Sequence, residues 1–262
     1  MRKARAHKKG KIRKAFRLLV LSVLGLFVGV LGYEAIMLAR VARLRSNNPA
    51  TTSLIETRVQ EAVSRGLQPR RAQVWLPLDR ISPNLQRAIL AGEDTNFLTH
   101  NGFDYQAIQK AWDEGQREAA KDAKKEGDSE NDWLPYLPEF KRGASTVSQQ
   151  LAKNLYLSSQ KTFLRKGQEA VLTIFIERLL TKRRILEIYL NVIEWGDGIY
   201  GAEAAAQRYF GKSASSLSTS DAAYLSAMIP NPRTVFNPQI NPRRLARRQR
   251  IIMRGMPYVR IP

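Results

Sequence analysis

The stretch EAVLTIFIERLLTKRRILEIYLNVI, residues 169–193, decides the fold class of this chain. Its apolar residues recur at the three- and four-residue spacing of an amphipathic α-helix, and a break is predicted near Lys182. The apolar positions are Val171, Leu172, Ile174, Phe175, Leu179, Leu180, Ile185, Ile188 and Tyr189. A helical segment this long and this apolar predicts the central core of the domain.

Shorter helices are predicted on both sides of this core. Each follows a start signal, an apolar spacing of three and four residues, or a glycine-rich turn. Thr146 and Gln149 have the spacing of a capping box. The predicted segments are 53–64, 84–92 after Ser82-Pro83, 146–157, 202–210 after a turn with three glycines, and a helix from Ser220-Asp221 to Pro230. Since no alternating strand pattern of any length occurs, the fold is predicted to be mainly α.

The segment LLVLSVLGLFVGVLGYEAIML, residues 18–38, is long enough to cross the hydrocarbon core of a bilayer. Nine lysines and arginines precede it and only three arginines follow closely, which predicts a cytoplasmic N-terminus. A cleaved signal peptide is the alternative, but the apolar run is long and lacks a clean cleavage site. We therefore expect a basic tail (1–17), a transmembrane helix (18–38), a connector (39–74) and an extracytoplasmic catalytic domain (75–262).

The net charge of +20 predicts attraction to a polyanion, either nucleic acid or an anionic membrane surface. A translocated domain does not meet nucleic acid, so the membrane surface is expected. The absence of cysteine rules out disulfides and thiolate metal sites. The arginines of 243–254 either face anionic lipid, pack back as an amphipathic helix, or form a solvated face.

Two further segments lie between residues 110 and 138. Residues 110–132 are highly charged and read as a solvated helix or an insertion. The following segment, 133–138, combines Trp and Tyr with prolines, which indicates either contact with the bilayer interface or a packed loop.

Three polar clusters are candidates for chemistry. The first is Glu93-Asp94 followed by Phe97, His100, Gly102 and Asp104. In the second, Thr146, Gln150 and Lys153 share one face of a helix, and in the third Arg165 and Glu169 stand one turn apart beside Lys166. Singly, each has a plain structural explanation: a surface acid pair, a structural histidine or an ion pair. Together, carboxylates and cations on amphipathic frames suit the transfer of a group attached to a phosphate.

The order of these clusters carries a family resemblance. EDTNFLTHNGFD (93–104), GASTVSQQLAKNLYL (143–157), RKGQEAVLTIFIE (165–177), RRILEIYLNVIEWGDGIYGAEAAAQRYFG (183–211) and AAYLSAMIPNPRTVFNP (222–238) resemble successive motifs of the family 51 peptidoglycan glycosyltransferases. The resemblance runs from roughly Trp75 to Pro238, and nothing resembling a transpeptidase domain follows it. A monofunctional biosynthetic transglycosylase is therefore expected. The charged segment departs from the family pattern, because it lies in the interval that carries the membrane-associated lobe in relatives.

The resemblance implies a fold and an activity. The implied fold is a lysozyme-like helical domain with a head and a smaller membrane-associated lobe. The implied activity is polymerisation of lipid II into glycan strands with release of undecaprenyl diphosphate, in cell wall biosynthesis and maintenance of cell shape. The implied location is the cell inner membrane, with lipid II, the growing strand and other cell-wall synthesis or division proteins as partners and no nucleic acid.

The resemblance also implies residue roles. Glu93 is the expected general base on the 4-hydroxyl of the acceptor sugar, and Lys153 with Arg165 would stabilise the leaving diphosphate. Glu169 would orient these cations or help to hold Mg²⁺ or Mn²⁺ bridging the diphosphate. The expected substrate-contacting positions are Thr146 and Gln150, and the residues expected to shape the site around Glu93 are Asp94, Phe97 and His100.

Two other functions are consistent with the same residues. A lysozyme-like lytic enzyme would use Glu93 as a general acid to cleave glycan, but it would have no use for Lys153 and Arg165. A non-enzymatic scaffold would dock on cell-wall machinery through its helices and positive surface.

Overall fold

The computed structural model of the chain describes residues 2–126, 145–158 and 162–262. The chain divides into two compact units, Met1–Asn47 and Asn48–Pro262. In the first unit, helix α1 (Arg2–Arg43) includes the segment Phe16–Arg43, which is long and apolar enough to cross a membrane. The prediction of one N-terminal apolar helix is confirmed.

The second unit is built mainly from helices, which confirms the predicted fold class. Its described α-helices are α2 (Ser53–Ser64), α3 (Pro83–Glu93), α4 (Tyr105–Glu126), α5 (Val147–Tyr156), α6 (Phe163–Leu179), α7 (Lys182–Val192), α8 (Ala202–Phe210), α9 (Thr219–Met228) and α10 (Pro242–Gly255). Three short strands, β1 (Ala72–Gln73), β2 (Glu194–Gly196) and β3 (Ile199–Tyr200), form a sheet of order β1-β3-β2. In this sheet β3 pairs parallel to β1 and antiparallel to β2.

Hydroxyl side chains set where the helices begin. The predicted capping box of Thr146 and Gln149 is present at α5, and a second box of Ser218 and Asp221 starts α9. Thr162 caps α6, so this helix begins well before the predicted start at residue 169. The predicted break in the 169–193 segment falls between α6 and α7, because the hydroxyl of Thr181 caps a new helix there.

Helix α7 forms the centre of the domain, as its sequence predicts. Its buried residues are Ile185, Leu186, Ile188, Tyr189, Leu190, Asn191 and Val192. Around it, α5 packs against α2, α6 and α7, while α3 packs against α9 and α10. This arrangement brings the end of α3, the length of α5 and one face of α10 toward the same region.

The structure describes part of the first charged segment and all of the basic C-terminal segment. The segment from residue 110 is helical as far as Glu126, within α4, and its remainder together with the predicted interface segment 133–138 lies outside the described residues. The basic C-terminal segment packs back on the domain as α10, with Leu245 and Ile252 buried. Of the three alternatives for this segment, an amphipathic helix is confirmed.

Candidate active site

Glu93 is the last residue of α3, and its carboxylate is the centre of the site. The side chain is only 9% exposed. Oε2 accepts a hydrogen bond from Nε2 of Gln150 at 2.9 Å, and Oε1 lies 2.7 Å from a guanidinium nitrogen of Arg248. Burial raises the pKa of Glu93 above its ordinary value, while Arg248, Gln150 and Lys153 oppose this rise. The result is a buried carboxyl that favours its protonated form more than a solvent-exposed glutamate does.

Arg248 is a site residue that the sequence prediction missed. It comes from α10, and the nitrogen that contacts Glu93 also donates to the backbone oxygen of Gly92 at 3.0 Å. The helical spacing contains a signal for it: Arg248 lies three residues after Leu245 and four before Ile252, the two buried positions of α10. An arginine on the apolar face of an otherwise basic helix indicates a buried partner.

Gln150 connects Glu93 to the core of the domain. Its amide nitrogen donates to Glu93, and its amide oxygen accepts a hydrogen bond from the hydroxyl of Tyr189 at 2.9 Å. Tyr189 lies on α7 and is fully buried, and this burial raises its pKa well above the ordinary value. The phenol therefore keeps its proton and acts as the donor.

Asp94 fastens the end of α3 to the start of α5. One carboxylate oxygen accepts from the backbone N–H of Val147 at 2.9 Å, and the other lies 2.8 Å from Nε2 of His100. The N–H of Gly102 donates to Nδ1 of His100 at 3.1 Å, so the proton of the neutral ring is on Nε2 and points to Asp94. Thr146 closes the turn, since its hydroxyl donates to the carbonyl of Gly102 at 2.7 Å.

Gly102 and Phe97 are two further residues on which this turn depends. The backbone of Gly102 has φ +97°, and a Cβ there would lie 2.7 Å from Cγ2 of Thr173, so a side chain would be both strained and obstructed. Phe97 is buried, with the ammonium of Lys182 4.6 Å from its ring centroid. Asp94 and Thr146 thus join the end of α3 to the start of α5, and the ring of Phe97 packs edge-on against His100 beside them. The contact of these four residues with substrate stays a prediction.

The cations predicted for the site gather on α5 and α6. Glu169 is buried, and one of its carboxylate oxygens lies 2.8 Å from a guanidinium nitrogen of Arg165. Its other oxygen accepts a hydrogen bond from the ammonium of Lys166. Burial lowers the pKa of Lys153, with smaller contributions from the charges of Glu169, Arg165, Lys166 and Glu93. Because its ammonium interacts with both glutamates, Lys153 connects the Glu93 side of the site to the Arg165–Glu169 side. Three cations face one carboxylate here, which leaves an excess of positive charge.

A cavity of about 180 Å³ opens beside Glu93. Its lining includes Gly92, Glu93, Asp94, Asp104, Ser145 and Thr146. Two buried guanidinium N–H groups, Nε of Arg165 and Nε of Arg248, have no hydrogen-bond acceptor among the described residues. Arginine is suited to bind carboxylate or phosphate oxygens through its fork of donors, so these groups are suited to an anionic substrate.

A helical domain that holds a buried carboxylate and a group of cations is suited to the chemistry of a glycosyltransferase. The sequence matches the family described as Transglycosylase over residues 59–129 and 136–257. The chain belongs to this family, which confirms the predicted resemblance and enzyme class.

Curated relatives extend along almost the whole chain. The biosynthetic peptidoglycan transglycosylase of Laribacter hongkongensis is 42% identical over 243 residues, which cover 93% of this chain and 96% of the relative. Proteins of the same name from Chromobacterium violaceum and Azoarcus sp. are 42% and 40% identical and cover 94% and 96% of this chain. They cover 99% and 100% of those relatives, respectively. These matches do not favour the lysozyme-like alternative.

Proposed function

We propose that this protein is a peptidoglycan glycosyltransferase that polymerises lipid II into glycan strands and releases undecaprenyl diphosphate. The observation that carries the proposal is the arrangement of charges. Glu93, a buried carboxyl of raised pKa, and Glu169, which pairs with Arg165, both interact electrostatically with the buried ammonium of Lys153. Glu93 is suited to accept a proton, and the cations near Glu169 are suited to receive a departing diphosphate.

Glu93 acts as general base in this proposal. The 4-hydroxyl of the acceptor sugar gives its proton to the carboxylate while its oxygen forms a bond to C1 of the donor sugar. The C1–O bond to phosphate breaks, and its electron pair stays on the diphosphate. A positioned base of this kind contributes roughly 10²–10⁴-fold to the rate. Burial of Glu93 helps, because a carboxylate of raised pKa is a stronger base.

Lys153 and Arg165 stabilise the charge that develops on the leaving group. Arginine offers a planar fork of donors, and the ammonium of Lys153 is buried, so its field is weakly screened by water. Glu169 has both oxygens occupied by Arg165 and Lys166, which favours its role in orienting cations. The proposed orienting role thus has direct contacts, whereas a ligand role for Glu169 would require these contacts to break.

A divalent ion, Mg²⁺ or Mn²⁺, remains part of the proposal. Within the described residues there is no group of three or more His, Asp or Glu side chains that could hold a metal. Both ions prefer oxygen ligands and bind substrate phosphates with few protein ligands. When bound, such an ion would neutralise charge on the diphosphate. The chain's own contribution is the cation group on α5 and α6.

We further propose that the protein is a single-span inner-membrane protein with its catalytic domain outside the cytoplasm. The apolar segment Phe16–Arg43 and the excess of basic residues before it support this orientation. Substrate and site would then be on the same side of the bilayer. Lipid II and the growing glycan strand are the proposed partners, with other cell-wall synthesis or division proteins and without nucleic acid.

Glu93→Gln tests the proposed reaction. The full-length protein in detergent micelles should polymerise lipid II, and Glu93→Gln should abolish polymerisation because the amide cannot accept the proton. Thermal unfolding should change little, since the substitution conserves side-chain volume. Asp197→Asn, a change at an exposed carboxyl, is the matched control and should retain activity.

Three results would contradict the proposal. Retained turnover in Glu93→Gln would remove Glu93 from its role as base. Release of fragments from intact sacculi by the wild type, without polymerisation of lipid II, would support the lytic activity instead. Normal cell-wall function of Glu93→Gln in cells would favour the scaffold.

A further inference from the structure

We infer that Tyr189 is a positioning residue for the base: its hydroxyl holds the side-chain amide of Gln150 in the orientation that presents N–H, rather than carbonyl oxygen, to Glu93. This inference rests on the proposed role of Glu93. The three groups form a chain from the core to the site. The Tyr189 hydroxyl donates to Oε1 of Gln150 at 2.9 Å, and Nε2 of Gln150 donates to Glu93 at 2.9 Å.

The amide of Gln150 can present two different faces. A rotation of half a turn about its last bond exchanges oxygen and nitrogen with little change in shape. In the reversed orientation, the carbonyl oxygen of Gln150 would face a carboxylate oxygen of Glu93, and two acceptors would repel each other. Only the observed orientation supports the ionised carboxylate that a general base requires.

Tyr189 selects the observed orientation because its hydroxyl proton has an acceptor only there. The side chain is fully buried on α7, and among the described residues its hydroxyl donates to the Gln150 oxygen. In the reversed orientation, the hydroxyl would have to accept from the amide, and its own proton would lose the acceptor it has now. A buried hydroxyl without an acceptor is costly, so the pair resists reversal.

Several titratable groups face Glu93. Arg248 approaches from α10, Lys153 from α5 and the phenol of Tyr189 from α7, while Asp94 adjoins it at the end of α3. Arg248 and Lys153 favour the carboxylate by charge whatever the orientation of the amide. The inferred contribution of Tyr189 is different, because it passes through the orientation of the Gln150 amide. This dependence makes the inference testable by a double substitution.

The first test is the pH dependence of lipid II polymerisation by full-length Tyr189→Phe. Loss of the hydroxyl lets the Gln150 amide rotate between its two orientations. Its N–H then donates to Glu93 for only part of the time, so Glu93 holds its proton more tightly. The midpoint of the rising limb of kcat should move upward by about half a unit to one unit, which lowers kcat about 3- to 10-fold at pH values below the midpoint. The KM for lipid II should stay near the wild-type value, and activity should recover at higher pH.

Tyr209→Phe is the matched control. Its hydroxyl also donates one hydrogen bond, in this case to the backbone oxygen of Trp195 at 2.7 Å, which is not a residue of the site. Both variants should lose a similar amount of thermal stability, while only Tyr189→Phe should shift the pH profile. An unchanged midpoint in Tyr189→Phe would overturn the inference.

The second test combines Tyr189→Phe with Gln150→Ala. If the hydroxyl acts through the amide, adding Tyr189→Phe to Gln150→Ala should produce no further shift of the midpoint. An equal shift in both backgrounds would show that the hydroxyl acts independently of Gln150 and would overturn the inference. Should Gln150→Ala be too slow to assay, the pH profile of Tyr189→Phe decides alone. Failure of the wild type to polymerise lipid II would count against the proposed function instead.

Discussion

At the scale of single residues, two buried glutamates have opposite surroundings. The carboxylate of Glu93 accepts hydrogen bonds from one neutral amide and one guanidinium, and burial raises the pKa of Glu93. Glu169 accepts from two cations that are its neighbours on the same helix. The first environment strengthens the affinity of the carboxyl for a proton, and the second places a carboxylate where it holds two cations.

Arg248→Met tests the first environment. Arg248 favours the charged form of Glu93, so its loss should raise the pKa of Glu93 further. Since the base must be ionised, the rising limb of kcat/KM should move to higher pH, with a loss of kcat/KM below the midpoint that higher pH restores. Arg247→Met removes the same charge from an exposed position of α10 and should leave the profile unchanged. An unshifted limb in Arg248→Met would contradict the assignment.

Lys153→Met tests the cation between the two glutamates. Loss of its charge should lower kcat for lipid II by about 10²–10³-fold, the effect typical of removing a group that stabilises developing negative charge. Lys212→Met is the control, because Lys212 forms an ion pair with Asp221 away from the site. The turnover of both variants under saturating lipid II provides the measurement. Equal turnover would remove Lys153 from the leaving-group role.

At the scale of elements, the start of α5 is the element boundary on which the site depends. The capping box of Thr146 and Gln149 fixes where α5 begins, and the backbone N–H of Val147 binds Asp94. One turn later, Gln150 meets Glu93, and Lys153 follows on the same helix. Fraying of this first turn would therefore displace the partners of the base.

Thr146→Ala and Ser218→Ala separate helix stability from site geometry. Each removes the hydroxyl of a capping box, the first at α5 and the second at α9. Loss of a cap costs about 1 kcal/mol, so both should lower the free energy of unfolding by a similar amount. Only Thr146→Ala should also lower kcat strongly. A matching loss of activity in the two variants would indicate that stability alone is responsible.

The elements could be predicted from the sequence far better than the contacts between them. Apolar spacing and caps are local signals, so α2, α5, α8 and the two helices of 169–193 were predictable. The sequence also indicated Glu93, Lys153 and Arg165 as site residues. This prediction came from the family resemblance, because local spacing alone does not identify them. Arg248 was missed because its partner is 155 positions away along the chain, where only packing brings them together. The role of Tyr189 was hidden for the same reason, since its spacing marks it as core.

At the scale of the whole molecule, the chain joins a basic tail, one apolar helix and a catalytic domain. The tail and the apolar segment belong to α1, and the domain begins at the second unit, Asn48–Pro262. With the proposed lipid-carried substrate and the proposed membrane-spanning helix, enzyme and substrate would share one bilayer. The enzyme would then meet its substrate by diffusion in the plane of the membrane rather than through solution.

Cysteine labelling tests the proposed orientation, because the natural sequence has no cysteine. In intact spheroplasts, a membrane-impermeant maleimide should label Ser64→Cys, an exposed position of α2, and should not label Ala4→Cys in the basic tail. Permeabilised cells should label both variants. Labelling of Ala4→Cys in intact spheroplasts would reverse the proposed orientation.

Two hydrogen bonds described above have a consequence for how this enzyme can change over time. The Thr146 hydroxyl donates to the Gly102 carbonyl, and the Val147 N–H donates to Asp94. These two hydrogen bonds hold together the two ends of the stretch 103–145. Lengthening a tethered loop adds little entropic cost, about 0.6 kcal/mol for each doubling. A change in the length of this stretch should therefore cost the fold little, as long as Asp104 and Ser145 at its two ends keep their places in the cavity wall. The charged residues that set this chain apart from its family pattern lie between these two ends.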